Sequence, residues 1–253
     1  IEYANIDTSG NFADFGDLTD PTNRLVNACF ASRTRGFAAG GGSPTPNAST
    51  NVIQEHEFAS TGDFNDFGDL SSNRNEVSSV SNATRGVISI GNPSVGNAME
   101  YITMASSGDS VDFGDRQTAG ILGSGTVQSP TRGVFLSGVT PGPVVNNSID
   151  YLTFSTTGNT ADFGDAVTAV RFSAANSNVI RGIKCGGGAP NTYTNAIEYI
   201  TIASAGNAAD FGDLNEVKSE GAASSSNTKG IFAGGYNGPS RTGNTSYIII
   251  PTT

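Results

Sequence analysis

Ser204-Ala205-Gly206-Asn207-Ala208-Ala209-Asp210-Phe211-Gly212-Asp213-Leu214 contains a tetrapeptide, Asp-Phe-Gly-Asp, that the chain carries five times. The copies begin at Asp14, Asp66, Asp112, Asp162 and Asp210, with start-to-start spacings of 52, 46, 50 and 48 residues. Self-similarity at a period near 50 marks a repeat architecture, in which one small unit is copied and neighbouring copies bury each other's apolar faces. Other landmarks keep the same phase. A basic residue precedes Gly at Arg35, Arg85, Arg132, Arg181 and Lys229. Thirteen residues before each motif an apolar segment begins, at Ile1, Ile53, Met99, Ile149 and Ile197, and a Gly stands four residues before each first Asp. The distance from that segment to the motif never varies, so insertions fall elsewhere.

The segments are strand-length. Around the last copy, Lys218 to Ser225 is rich in small residues (strand A), Gly230 to Gly235 is apolar (strand B) and Ile197 to Ala203 alternates with β-branched residues (strand C). Ser204 to Asn207 reads as a hairpin turn in which Gly takes positive φ, leading to a short strand D over Asp210 to Leu214. Four antiparallel strands per repeat, without helical periodicity, predict an all-β fold: a five-bladed β-propeller of four-stranded blades, forming a single domain over residues 1–253. Strand A should line the central channel, where only small side chains fit. Phe15, Phe67, Phe113, Phe163 and Phe211 should fill the gaps between blades, each worth about 1.5–3 kcal/mol when fully buried. The closing blade is expected to be shared between the termini, pairing residues 218–236 with Phe12 to Asp17.

The order of Arg or Lys, small-residue strand, apolar strand ending in Gly-Gly and Ile-Glu-Tyr strand resembles a kelch repeat, as in Arg24 to Ala31, Phe37 to Gly41 and Ile197 to Tyr199. Kelch repeats usually carry Trp; this chain has none and sets the motif Phe in its place. More narrowly, the phrase spanning residues 8–18, Thr-Ser-Gly-Asn-x-x-Asp-Phe-Gly-Asp-Leu, resembles repeats in virion structural proteins of marine tailed phages, notably cyanophages. That resemblance implies a tail or adhesin component, in a virion or extracellular, with other virion proteins and a host-surface glycan or receptor as partners.

Charge narrows the function classes. Asp plus Glu total 23 against 13 Lys plus Arg, and the ten motif Asp residues account for the whole net charge of -10. A chain without a basic stripe is a poor nucleic-acid binder. No 18-residue apolar run is present to insert in a membrane as a helix, and the composition suits a soluble protein. Cys29 and Cys185 fall at unrelated repeat phases, which predicts neither a disulfide nor a zinc site. The chain opens at Ile1, inside a repeat, which predicts a fragment or processed product.

The paired carboxylates Asp14/Asp17, Asp66/Asp69, Asp112/Asp115, Asp162/Asp165 and Asp210/Asp213 admit three readings. The first is structural: they accept backbone N–H bonds in tight turns and meet the recurring Arg35, Arg85, Arg132, Arg181 and Lys229 as interblade ion pairs. The second is calcium, disfavoured because six to eight oxygens are needed and the flanking residues are unlike an EF-hand loop. The third is catalysis, and a site repeated five times lacks a distinct acid and base. No cofactor is expected. His56, the sole histidine, stands where other copies have Ala4, Ile102, Leu152 and Ile200, so it reads as a blade residue. The divergent B–C connections share one face, opposite the Asp and Arg landmarks. Loops on a rigid scaffold commonly carry recognition, which makes Asn191, Tyr193, Tyr236, Asn237 and Arg241 the candidate contact residues. The resulting expectation is a non-enzymatic structural or recognition module. Its alternatives are a multivalent glycan-binding lectin and a polysaccharide hydrolase or lyase on a propeller scaffold.

Overall fold

A computed structural model describes residues 1–3, 5, 11–19, 28–42, 49–89, 91–92, 96–118, 122–140, 142, 144–190 and 192–251. Among them every regular element is a strand. An N-terminal pair, β1 (Glu2–Tyr3) and β2 (Ala13–Asp14), precedes the blades. Blade one is β3 (Ala28–Ala31), β4 (Arg35–Ala39), β5 (Thr50–Glu57) and β6 (Asn65–Arg74); blade two is β7 (Ser79–Ser81), β8 (Arg85–Ser89), β9 (Ala98–Thr103) and β10 (Val111–Asp115). Blade three is β11 (Gly125–Gln128), β12 (Arg132–Thr140), β13 (Val144–Thr153) and β14 (Ala161–Asp165). Blade four is β15 (Ala174–Ser177), β16 (Arg181–Cys185), β19 (Ala196–Thr201) and β20 (Ala209–Asp213), with a small hairpin of β17 (Gly188–Ala189) and β18 (Thr192–Tyr193) inserted between its second and third strands. Blade five holds β21 (Ala222–Ser225), β22 (Lys229–Ala233) and β23 (Thr245–Ile249). All pairings are antiparallel, and the innermost strands β3, β7, β11, β15 and β21 touch in that order. The fold is therefore the five-bladed β-propeller that the repeat predicts.

The motif has a common geometry. In each complete blade the C–D register slips at the tetrapeptide, so that Ile149 faces Gly164 while Asp150 faces Asp162 and Phe163 is the extra residue. The same slip occurs at Phe67, Phe113 and Phe211. Such a bulge bends the strand and re-aims a side chain. Here it turns the ring inward, while the first Asp of each motif remains exposed. Phe67 joins Phe37 and Ile53 of its own blade and Ile102 and Met104 of the next. Phe113 bridges Met99 and Val87 to Phe135 and Phe154, and Phe163 bridges Ile149 to Ile200 and Ile202. Each ring is thus packed between two sheets, as the sequence predicts.

The motif also forms the outer seam. The carbonyls of Phe67 and Asp69 accept from the amides of Gly108 and Ser110 in the next blade, at 2.8 and 2.9 Å; Phe113 and Asp115 do the same with Gly158 and Thr160, and Phe163 and Asp165 with Gly206 and Ala208. The motif Gly makes this approach possible. Gly114 sits at φ +136°, and a Cβ there would lie 2.4 Å from the Gly158 carbonyl. Opposite it, the residue after the turn Gly caps the seam: Asp109, Asn159 and Asn207 accept through Oδ1 from the amides of Asp69, Asp115 and Asp165 at 3.0 Å.

At the termini the described residues form two separate sheets. The carbonyls of Phe15 and Asp17 are engaged by the Gly62 and Phe64 amides, which ties β1–β2 to blade one as a separate two-stranded sheet. β23 takes the third place in blade five, with Lys229 opposite Ile249 and Ala233 opposite Thr245. Among the described residues no strand lies on its outer side.

Candidate functional site

Arg35, Arg85 and Arg132 are interblade elements, and they reach the following blade through backbone carbonyls. Arg85, Arg132 and Arg181 lie over Tyr101, Tyr151 and Tyr199 at 4.9, 4.6 and 4.7 Å from the ring centroids, and Lys229 lies over Tyr247 at 5.3 Å. A cation over an aromatic face is held by the ring quadrupole. Arg35, Arg85 and Arg132 also donate through Nη1 to the carbonyls of Met104, Phe154 and Ile202 in the following blade. The other face of each tyrosine layer meets the motif Phe edge-on, as for Tyr101–Phe113 at 5.8 Å and Tyr199–Phe211 at 6.1 Å. The described ion pairs of Arg35 go to Glu55 and Glu57, at 3.7 and 3.8 Å.

The buried ion pairs use an acid that sequence reasoning passed over, the central residue of the Ile-Glu-Tyr segment. Glu100 pairs with Arg74 at 2.6 Å, and it accepts from Ser110 Oγ at 2.5 Å and from the Ser71 amide and hydroxyl. Burial, the largest single influence, pushes its carboxyl up, yet the hydrogen bonds from Ser110 and Ser71 and the Arg74 charge together hold it below the ordinary value. Asp150 receives Arg116 in a fork, Nε at 3.1 Å and Nη2 at 2.6 Å, with the guanidinium also over Phe135. Glu198 meets Lys184 at 3.2 Å and accepts from the amides of Val167 and Thr168. Burial pushes Lys184 down against the pull of Glu198. The available signal was an acid at one register position inside an apolar strand, in copy after copy.

The remaining chemistry-bearing groups are similarly engaged. His56 Nδ1 faces the Asp63 carbonyl at 2.9 Å and Nε2 the Ser60 carbonyl at 2.8 Å, with Phe15 edge-on at 5.1 Å. Cys29 and Cys185 are not disulfide-bonded; burial pushes the Cys185 thiol far up. Among the described residues no three His, Cys, Asp or Glu side chains converge as metal ligands.

Two surfaces are left with ligand-facing groups. The first is the loop face of blades four and five, where Tyr193 at the end of the β17–β18 hairpin meets Tyr236 edge-on at 5.4 Å. Tyr193 is 37% exposed and Tyr236 half-buried. Tyr236 is bridged through its backbone to Ser219 and to Arg241, whose side chain is exposed. Asn237 closes the intervening turn, its Oδ1 accepting from the Ser240 amide at 3.1 Å. Asn244 Nδ2 donates to Glu216 at 2.8 Å and Lys218 Nζ to the Asn244 carbonyl at 2.9 Å, anchoring the loop. Four of the five candidate contact residues thus share one surface, and Asn191 lies outside the described residues.

The second surface is the central cavity, of about 1260 Å³, lined by strand A and by the A–B turns at the opposite end. Its wall combines the hydroxyls and amides of strand A and the A–B turns with an apolar side from blade one and the N-terminus (Ile1, Leu18, Phe30, Phe37, Phe58 and Phe64), and Arg33 is the one charged side chain among the described lining residues. Ser79 donates to the Cys29 carbonyl, Ser81 to Ala31, Ser177 to Gln128 and Ser225 to Ser177, each in the neighbouring blade. Small size and a hydroxyl are therefore both needed in strand A, and the second need was not read from sequence.

No family model matches the chain, and no curated protein matches it in sequence. Its fold is similar to that in the solved structure of YjhT, with a TM-score of 0.70, 11% sequence identity, and coverage of 88% of this chain and 81% of that one. At that identity the likeness concerns the fold.

Proposed function

We propose that the protein is a non-enzymatic structural and recognition module, a virion tail or adhesin propeller that presents its B–C loop face to a protein or host-surface ligand. The observation that carries this reading is the meeting of Tyr193 and Tyr236. They come from insertions in two different blades, yet form one aromatic pair beside Arg241 on the face where the repeats diverge. Tyrosine and arginine supply large contact area and directional hydrogen bonding at protein interfaces. A rigid scaffold has little ordering entropy to lose on binding. The distribution of carboxylates supports a role without catalysis: Glu100, Asp150 and Glu198 are locked to cations, and the first Asp of each motif stands exposed on the outer strand. The kelch-like order of strands and the resemblance of residues 8–18 to cyanophage virion repeats support the placement in a particle.

The test compares the wild-type chain with Tyr236→Ala and Arg241→Ala variants on a panel of bacterial surfaces and a glycan array, with and without calcium. Loss of a saturable signal in both variants is the expected result. Equal binding by all three proteins would move recognition off this face, and turnover of a polysaccharide would overturn the non-enzymatic reading. Binding by repeat-equivalent sites that contribute alike would favour a multivalent lectin instead.

A further inference from the structure

The chain holds a single Asn-Gly dipeptide, Asn237-Gly238, and it stands in the tight turn that joins Tyr236 to Arg241. Glycine after asparagine leaves the following backbone amide without a side chain to shield it. The turn treats the groups around that amide unequally. Among the described residues the Gly238 N–H has no acceptor, and neither has the Asn237 side-chain amide Nδ2. The Asn237 carbonyl oxygen Oδ1, by contrast, accepts twice, from the Ser240 amide at 3.1 Å and from the Ser240 hydroxyl at 3.5 Å. The Asn237 amide donates in turn to the Ser240 carbonyl at 3.1 Å, which fixes the residue at the base of the turn. Gly238 has φ +102°, and a Cβ there would lie 3.5 Å from the Tyr193 ring, so the dipeptide sits against the aromatic pair. Both residues are partly exposed, which gives water access to them.

We propose that Asn237 is a self-modification site, converted by its own turn to aspartate and isoaspartate. The Gly238 nitrogen attacks Cγ of Asn237. As the N–Cγ bond forms, the Cγ–Nδ2 bond breaks, and Nδ2 leaves as ammonia with the proton that the Gly238 nitrogen gives up. Water then opens the resulting succinimide at either carbonyl, and its oxygen ends in a carboxyl group; no oxidant or reductant takes part. Negative charge develops on Oδ1 in the tetrahedral intermediate, where the Ser240 donors already stand, and preorganised donors at a developing oxyanion lower the barrier. Neither the nucleophile nor the leaving group has a bond among the described residues that must break first. The product carries a carboxylate in the same turn as Arg241, which has no ion pair among the described residues. Isoaspartate also lengthens the backbone by a methylene where Gly238 lies against Tyr193. The tyrosine pair thus rests on a turn whose charge and shape change with age. The reaction needs no ligand on this face, so it proceeds whether or not the face recognises one.

The experiment incubates the full folded chain at mildly alkaline pH and follows fragment masses by peptide mapping, together with an isoaspartate-specific methylation assay. Asn237 should convert before any other asparagine, and no more slowly than in a synthetic peptide of residues 232–244. An Asn237→Gln chain, whose longer side chain closes the ring poorly, should give no product in this segment. Ser240→Pro removes the amide donor and should slow the folded chain about tenfold while leaving the matching peptide unchanged. A thermal melt like that of wild type checks that the blades of this variant are intact. Slower conversion in the folded chain than in the peptide would overturn the proposal, because the turn would then protect Asn237. So would earlier conversion at another asparagine, an aspartate product free of isoaspartate, or an undiminished rate in Ser240→Pro.

Discussion

Phe113→Ala and Phe211→Ala make the same substitution in the same tetrapeptide, but in different surroundings. Phe113 is 2% exposed, edge-on to Tyr101, and packed among Val80, Val87, Met99, Phe135, Leu152 and Phe154. Its removal forfeits about 1.5–3 kcal/mol of transfer energy and the ring–ring term of about 0.5–1.5 kcal/mol. A cavity that the two sheets cannot fully close adds to this, so the total should fall at about 3–5 kcal/mol. Phe211 is half-buried against the cluster of Ile183, Ile197, Leu214 and Phe232, and the same change there should cost about half as much. Equilibrium urea denaturation followed by circular dichroism reads both differences, provided the slopes agree. Equal losses at the two positions would refute the idea that burial between blades gives the motif Phe its value. No loss at Phe113 would refute the packing itself.

Three further outcomes follow from the seams. Gly114→Ala should destabilise by several kcal/mol more than Gly212→Ala: both residues have positive φ, but only the first places a Cβ against a neighbouring carbonyl, and a thermal melt of the two variants isolates the clash. Arg116→Ala should cost about 3–5 kcal/mol by leaving Asp150 buried without its cation, whereas Arg116→Met with Asp150→Leu should recover most of that loss in the same denaturation assay. Glu100 has its carboxyl lowered in the folded state, so its contribution is complete above the ordinary value of 4.5 and is lost as pH falls from there through its native value. A Glu100→Gln variant should accordingly show a shallower acid limb in a plot of stability against pH.

The strand order, blade count and interblade placement of the motif rings were legible because they rest on periodicity, which backbone geometry converts directly into position. Side-chain pairing was not. The motif Asp and the recurring Arg were expected at the same end of a blade, but Arg85 faces Thr103 at one end while Asp112 faces Glu100 in mid-sheet and Asp115 faces Ala98 at the other end; the first Asp is exposed, and Arg85, Arg132 and Arg181 lie over tyrosines. The acids that are buried, Glu100, Asp150 and Glu198, were hidden within segments read simply as apolar. At the candidate site, the choice of loop face brought Tyr193, Tyr236, Asn237 and Arg241 onto one surface. The edge-to-face contact of the two tyrosines was beyond reach, because each sits in an insertion that no other repeat shares.

The buried acids give blades two, three and four an address. Glu100 takes its cation from Arg74 at the end of β6, Asp150 from Arg116 just past β10, and Glu198 from Lys184 within its own sheet. Near-identical repeats run a particular risk while folding, since any blade can dock on any other through the shared motif. A misordered pair would strand a carboxylate in a dry seam, at a cost comparable to the whole docking gain. A chain in which the second and third repeats are exchanged should therefore refold in lower yield than its unchanged tetrapeptides would suggest, with the mismatch confined to these three positions.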